Sequence, residues 1–214
     1  KLPVEKRKIL FVGEEISFAS RYRVEHFREQ LILRGYASRF IQMDQAEKES
    51  LEEYEAIVLY RCSKLMEVEM LADRAKAAGI RVYYDIDDLV FDYEKIAGLH
   101  FLKGKEYSDF CTTAERIHGC MEFCDGYITS TETLAGVLRE EFSGKPVVIN
   151  RNGMSMEMEI LSHEAFEQTD KNEEKIYIGY LSGSRTHDQD FAQVESALLE
   201  VMEHHPEVYL KLVG

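Results

Sequence analysis

The sequence runs to 214 residues, 45% hydrophobic and 31% charged, which is ample for one full core and marginal for two complete domains. With 26 Lys and Arg against 40 Asp and Glu, its net charge of −14 repels nucleic acid and anionic membrane surfaces, so no nucleic-acid partner is expected. No apolar run approaches the roughly 20 residues that span a bilayer, and the charged start Lys1–Lys8 is no signal peptide, so a cytoplasmic location is expected, with peripheral membrane contact left open.

Short β-rich runs alternate with helical patterns from the start. Lys8–Gly13 reads as a strand ending in glycine. Tyr22–Arg34 follows with Val24, Phe27 and Leu31 at helical spacing, and Gly35 ends it. Tyr36–Gln42 and Glu55–Tyr60 are the next two strands, Leu65–Ala78 is a helix stopped by Gly79, and Ile80–Tyr84 is a fourth strand. An acidic loop precedes a helix over Tyr107–Phe123, then come a strand Gly126–Thr129, a helix capped by Ser130 or Thr131 with Leu134, Val137 and Leu138 inward, and a sixth strand Pro146–Ile149. Strands followed by helices imply a parallel α/β sheet covered on both faces, a Rossmann-like domain over residues 1–160.

The rhythm breaks at Ser162–Lys175, where five carboxylates and few apolar residues suggest a linker, taken as 161–174. A new unit begins with strand Lys175–Leu181, a loop Ser182–Asp188, a helix from about Asp190 to His204 and strand Val208–Val213. A lone strand–helix–strand over 175–214 buries too little of its sheet, so either it is the opening of a second Rossmann-like domain that continues past Gly214, or it docks onto the first domain as extra strands.

Ligands of open α/β sheets sit at the carboxyl ends of strands, and four segments fall there. After the first strand the chain lacks the dinucleotide glycine pattern and leads instead into Arg21-Tyr22-Arg23 and Arg28. Cations at a helix start oppose its dipole, so a phosphate on an acceptor is one reason for them and ion pairing through Glu25 is the other. After the fourth strand stand Asp85, Asp87, Asp88 and Asp92; clustered acids can bind sugar hydroxyls or act as a base, or serve as a polar turn. No supporting ligand spacing suggests a metal there, and Cys120, Cys124 and nearby His118 are read as a helix face with buried free thiols, like Cys62 and Cys111. Asn152 and Gly153, after the sixth strand, mark a tight turn and a candidate hinge. The loop Ser182-Gly183-Ser184-Arg185-Thr186-His187, between a strand and a helix start, offers close-approaching amides, hydroxyls and a guanidinium suited to a phosphate.

Taken together, these segments resemble the retaining GT-B glycosyltransferases of the group 1 (GT4-like) family. The resemblance rests on Arg21-Tyr22-Arg23-Val24, the Asp85–Asp92 run, Val147–Gly153 and, most specifically, Ile178–His187 with Asp190-Phe191 and Leu210–Gly214. It implies a GT-B fold and transfer of a sugar from a nucleotide diphosphate sugar to a carbohydrate or lipid-linked acceptor, as in polysaccharide biosynthesis, with retention and with no cofactor or bound metal. It assigns Asp85, Asp87 and Asp88 to catalysis, Arg21, Tyr22 and Arg23 to the acceptor side, and Ser182–His187 to the donor diphosphate. The family's paired-glutamate donor motif would lie beyond Gly214, so the chain alone is expected to be inactive and to bind nucleoside diphosphates weakly. A GT-B-shaped nucleotide-sugar epimerase and a non-catalytic α/β ligand-binding module are the alternatives.

Overall fold

The computed structural model describes residues 8–14, 18–92, 103–168, 174–182 and 188–213. Eight strands are described: β1 (Lys8–Gly13), β2 (Ala37–Gln42), β3 (Tyr54–Tyr60), β4 (Arg81–Asp85), β5 (Gly126–Thr129), β6 (Val147–Ile149), β7 (Ile176–Leu181) and β8 (Val208–Val213). The helices used below are α1 (His26–Leu33), α2 (Met66–Ala77), α3 (Gly104–Glu122), α4 (Glu132–Glu141), α5 (Met156–Gln168) and α6 (Asp188–His204). A π-helical stretch, Arg21–Glu25, runs directly into α1.

Backbone contacts divide the chain into two units, Lys1–Glu159 and Ile160–Gly214. The first holds a six-stranded, all-parallel sheet in the order β2-β1-β3-β4-β5-β6. This is the mixed α/β, Rossmann-like arrangement that the alternation of strands and helices implied. After β1 the chain pairs β2 on one side and β3 on the other, so the direction of winding reverses between β1 and β3; crevices at such reversals are where open sheets bind ligands.

Alternation along the strands sends side chains to both faces. On one, Leu10, Ile57, Leu59 and Tyr84 pack with Val68 and Leu71 of α2, Met121 of α3 and Leu138 of α4. On the other, Phe11, Val58, Tyr60 and Ile128 pack with Val24, and Phe27 and Leu31 of α1 lie against them. Thr131 caps α4 by accepting from the Leu134 amide at 3.2 Å, one of the two residues the sequence offers for that role. All four cysteines are free and buried. Burial pushes the thiols of Cys62, Cys120 and Cys124 up, so they are packing groups.

Part of the segment read as a linker, residues 161–168, is helical. α5 extends through Gln168, and Ser155 starts it by accepting from the Met158 amide at 3.1 Å. Glu, Ala, Leu and Met are good helix formers whether or not a core receives them, so a scarcity of apolar residues did not prevent a helix. No described residue of α5 is buried. In the second unit β7 and β8 pair in parallel over Ile176–Leu181 and Val208–Val213, joined by α6. Among the described residues no helix is long and apolar enough to cross a membrane.

Candidate functional site

Two arginine-centred clusters form at the carboxyl ends of the first unit's strands. The inner one is built on Arg23. The helical segment starting at Arg21 lays Val24 and Phe27 on the sheet, which turns Arg23 toward the end of β4. There Nε and Nη2 donate to the two oxygens of Asp85 at 2.7 and 2.8 Å, and both side chains are 0% exposed. Nη1 donates to the Asn150 carbonyl and, at 3.0 Å, to Oδ1 of Asn152. One turn further on, His26 Nδ1 lies 2.8 Å from the Gly153 carbonyl oxygen. Four N–H groups of one guanidinium thus join a helix start, a strand end and the turn after β6. Burial raises the Asp85 carboxyl to about 6 against the opposing pull of Arg23.

The outer cluster is built on Arg61, which directly follows β3. Tyr60 pairs in register with Asp85, so Arg61 stands beside the loop after β4. Its backbone is left-handed, φ 47°, with the amide donating to the Asp85 carbonyl at 3.2 Å. Among the described residues it is the one non-glycine with positive φ. Its guanidinium lies 5.6 Å over the Tyr60 ring and donates twice to Oδ1 of Asp87, from Nε at 3.0 Å and from Nη2 at 2.6 Å, while Nη2 also reaches Oδ2 of Asp88. Asp87 is 12% exposed, Arg61 26% and Asp88 59%. Among the described residues Oδ2 of Asp87 has no hydrogen-bond partner.

Three carboxylates proposed for one role therefore sit in two environments. Asp85 is sealed and chelated. Asp87 is anchored through one oxygen and open at the other, and Asp88 reaches solvent. The Tyr60 hydroxyl and His26 Nε2 are buried without a partner, as is Thr129 Oγ1 at the end of β5. Burial pushes the Tyr60 phenol up, and Asp87, Asp85 and Asp88 act in the same direction.

The basic run is split. Arg23 is interior, whereas Arg21 and Tyr22 are exposed, with Tyr22 edge-on to His26 at 5.0 Å. Of the ion pairs weighed for this helix, Arg28 with Glu25 is formed at 2.9 Å. Asn152 and Gly153 are tied to Arg23 and His26. Ser182 directly follows β7, its amide donating to the Val213 carbonyl at 2.7 Å; Gly183, Ser184, Arg185, Thr186 and His187 lie outside the described residues. A concavity of about 500 Å³ lies along α3, where His118 sits 3.0 Å from Glu141. It shares only Phe91 and Asp92 with the segment after β4, so we place the site at the strand ends, where the fold converges its polar groups. Among the described residues no group of three or more His, Cys, Asp or Glu could hold a metal ion.

Arg61 was not singled out from the sequence. The available signal was positional: a cation immediately after a strand whose parallel neighbour runs into an aspartate-rich loop.

No family model matches the sequence, and no curated protein matches it. Solved structures do. The S. aureus MnaA–UDP co-structure aligns with a TM-score of 0.52 at 13% identity, over 96% of this chain and 61% of that one. LpCGTa in complex with UDP aligns with a TM-score of 0.45 at 12% identity, over 97% and 63%. A UDP-glucosyltransferase from Polygonum tinctorium capable of glucosylating indoxyl gives 0.45 at 11%, over 98% and 71%. The first of these supports the GT-B-type α/β fold, and this chain spans 61% of that protein's length.

Proposed function

We propose that this chain belongs to an enzyme that transfers a sugar from a nucleoside diphosphate sugar to an acceptor hydroxyl. The observation that carries this reading is Asp87, a carboxylate held by Arg61 at the strand ends beside the winding reversal, with one oxygen uncommitted. A carboxylate so placed can accept a hydroxyl's hydrogen bond and its proton. Asp88 is the more exposed companion for further acceptor hydroxyls. Asp85 and Arg23 hold the frame. The segment Ser182–His187 is the anchor proposed for the diphosphate, through amides at a helix start and the Arg185 cation. The acceptor is a carbohydrate or a lipid-linked carbohydrate, and the reaction needs no resident cofactor.

The test is turnover of nucleoside diphosphate sugars by the full natural protein. UDP-sugars come first, because the S. aureus protein was solved with UDP. Release of UDP that depends on an added saccharide supports transfer. An isomerised sugar nucleotide formed without acceptor would identify an epimerase instead. Absence of turnover with UDP-, GDP- and dTDP-sugars would refute the reading. The anomeric configuration of the product decides between the retention that the resemblance implies and the inversion that a carboxylate base would bring.

A further inference from the structure

Arg61 occupies a backbone conformation that favours glycine, yet it carries the largest cation available. Its side chain reaches two carboxylates, and both of its contacts to Asp87 fall on the same oxygen. A guanidinium facing a carboxylate squarely spends one N–H on each oxygen, as Arg23 does with Asp85. Sharing Oδ1 between Nε and Nη2 fixes the Asp87 carboxylate while leaving Oδ2 uncovered. Beneath the guanidinium lies Tyr60, whose buried hydroxyl has no partner although every other buried side-chain polar atom of this cluster has one. A buried hydroxyl without a partner is costly, so this one marks an unsatisfied polar group directly under the guanidinium.

From this geometry we propose that Arg61 is the positioning residue for Asp87, presenting Oδ2 as the base that deprotonates a neutral hydroxyl acceptor in an inverting displacement. The inference rests on the sugar-transfer reading above and departs from the retention expected from resemblance. In the step, the acceptor O–H bond breaks and its proton passes to Oδ2 of Asp87. The acceptor oxygen's electron pair forms the new bond to the anomeric carbon, and the bond from that carbon to the diphosphate breaks, its electron pair leaving on the phosphate oxygen. Attack opposite the leaving group inverts the centre. The cluster also states an acceptor class. One cation against two carboxylates leaves Arg61, Asp87 and Asp88 a net charge of −1, which disfavours a phosphate beside the reacting hydroxyl and favours an uncharged one.

The experiment measures kcat and acceptor KM for transfer by the full natural protein, with the anomeric proton coupling of the product read by NMR, for wild type, Arg61→Gly, Arg61→Lys and Asp87→Asn. Glycine suits the φ of 47°, so Arg61→Gly removes the guanidinium without straining the backbone. Expected are an inverted product, a loss of kcat of about 100-fold or more in Asp87→Asn, and a loss of kcat of about tenfold or more in Arg61→Gly with the KM for the acceptor little changed. Arg61→Lys keeps the charge but not the fork that fixes Oδ1 of Asp87, so kcat falls in it too while the KM for the acceptor stays near that of wild type. A retained product, or a wild-type kcat in Arg61→Gly, overturns the inference and leaves the sugar-transfer reading standing. No transfer by the wild-type protein overturns both.

Discussion

Arg23 and Asp85 are the residues whose loss the first unit should tolerate least. Each is fully buried and each neutralises the other, so removing one strands a charge in the interior. Arg23→Ala is expected to cost about 3–5 kcal/mol in urea unfolding, and Asp85→Ala a similar amount. Replacing both, Arg23→Met with Asp85→Leu, should recover much of that loss, because two apolar side chains need no counter-charge. Near-additive losses in the double variant would show that the hydrogen bonds to Asn150 and Asn152, and not the charge pairing, dominate. The carboxyl also predicts a pH effect. With Asp85 raised to about 6 by burial, the folded chain holds its proton in a range where the unfolded chain, near 3.8, has lost it. This group's contribution therefore favours folding as pH falls from above 6 toward 4. The difference in unfolding free energy between wild type and Asp85→Asn should shift toward wild type over that range, and an unchanged difference would contradict the shift.

At the scale of elements, the strands were legible because their alternation is regular and because Gly, Asn and Ser punctuate their ends. The helix of residues 156–168 was only half legible: an acidic, weakly amphipathic sequence reads as linker until its cap at Ser155 is seen. The site was legible as a place more than as a set of roles. Asp85 ends one strand and Asp87 and Asp88 follow it, but their two environments depend on two arginines, Arg23 62 positions from Asp85 and Arg61 26 and 27 positions from Asp87 and Asp88, which no spacing rule connects. Arg23 read as an acceptor-side cation like Arg21, because the π-helical turn and the buried Asp85 that take it inward are tertiary facts. One element boundary does follow from sequence chemistry. Gly126 opens β5 where a Cβ would stand 2.9 Å from both the carbonyl oxygen and Cγ of Pro146, the residue before β6. Gly126→Ala must push the β5 and β6 ends apart, at a cost of roughly 1–3 kcal/mol. Thermal unfolding would check it, and a Tm equal to wild type would mean that this edge of the sheet yields freely.

For the whole molecule, the uneven distribution of burial matters most. Every buried hydrophobic side chain described lies in the first unit, and among the described residues of 160–214 none is buried. Ile176, Tyr177, Leu181, Tyr209 and Leu212 are exposed on the two-stranded sheet. Local stability follows buried contact, so amides of β7 and β8 should exchange with solvent far faster than those of β1, β3 and β4. Hydrogen exchange followed by mass spectrometry on this chain would show it, and equal protection in the two units would refute it. A nucleoside diphosphate held chiefly by Ser182–His187 would have one anchor in competition with water and salt, so micromolar affinity for this chain alone is not expected.

The Arg23 clamp also bears on the order of events in time. Its contacts to Asn150 and Asn152 join positions 127 and 129 apart, and they cannot form until β4 and β6 are both in place beside the first helix. Such contacts are absent from a transition state nucleated by nearer neighbours. Weakening the clamp, as in Asn152→Ala, should therefore leave the refolding rate almost unchanged and speed unfolding, a low φ-value measurable by stopped-flow. The arginine would act as a late bolt, setting how long the folded first unit lasts and leaving untouched how fast it is reached.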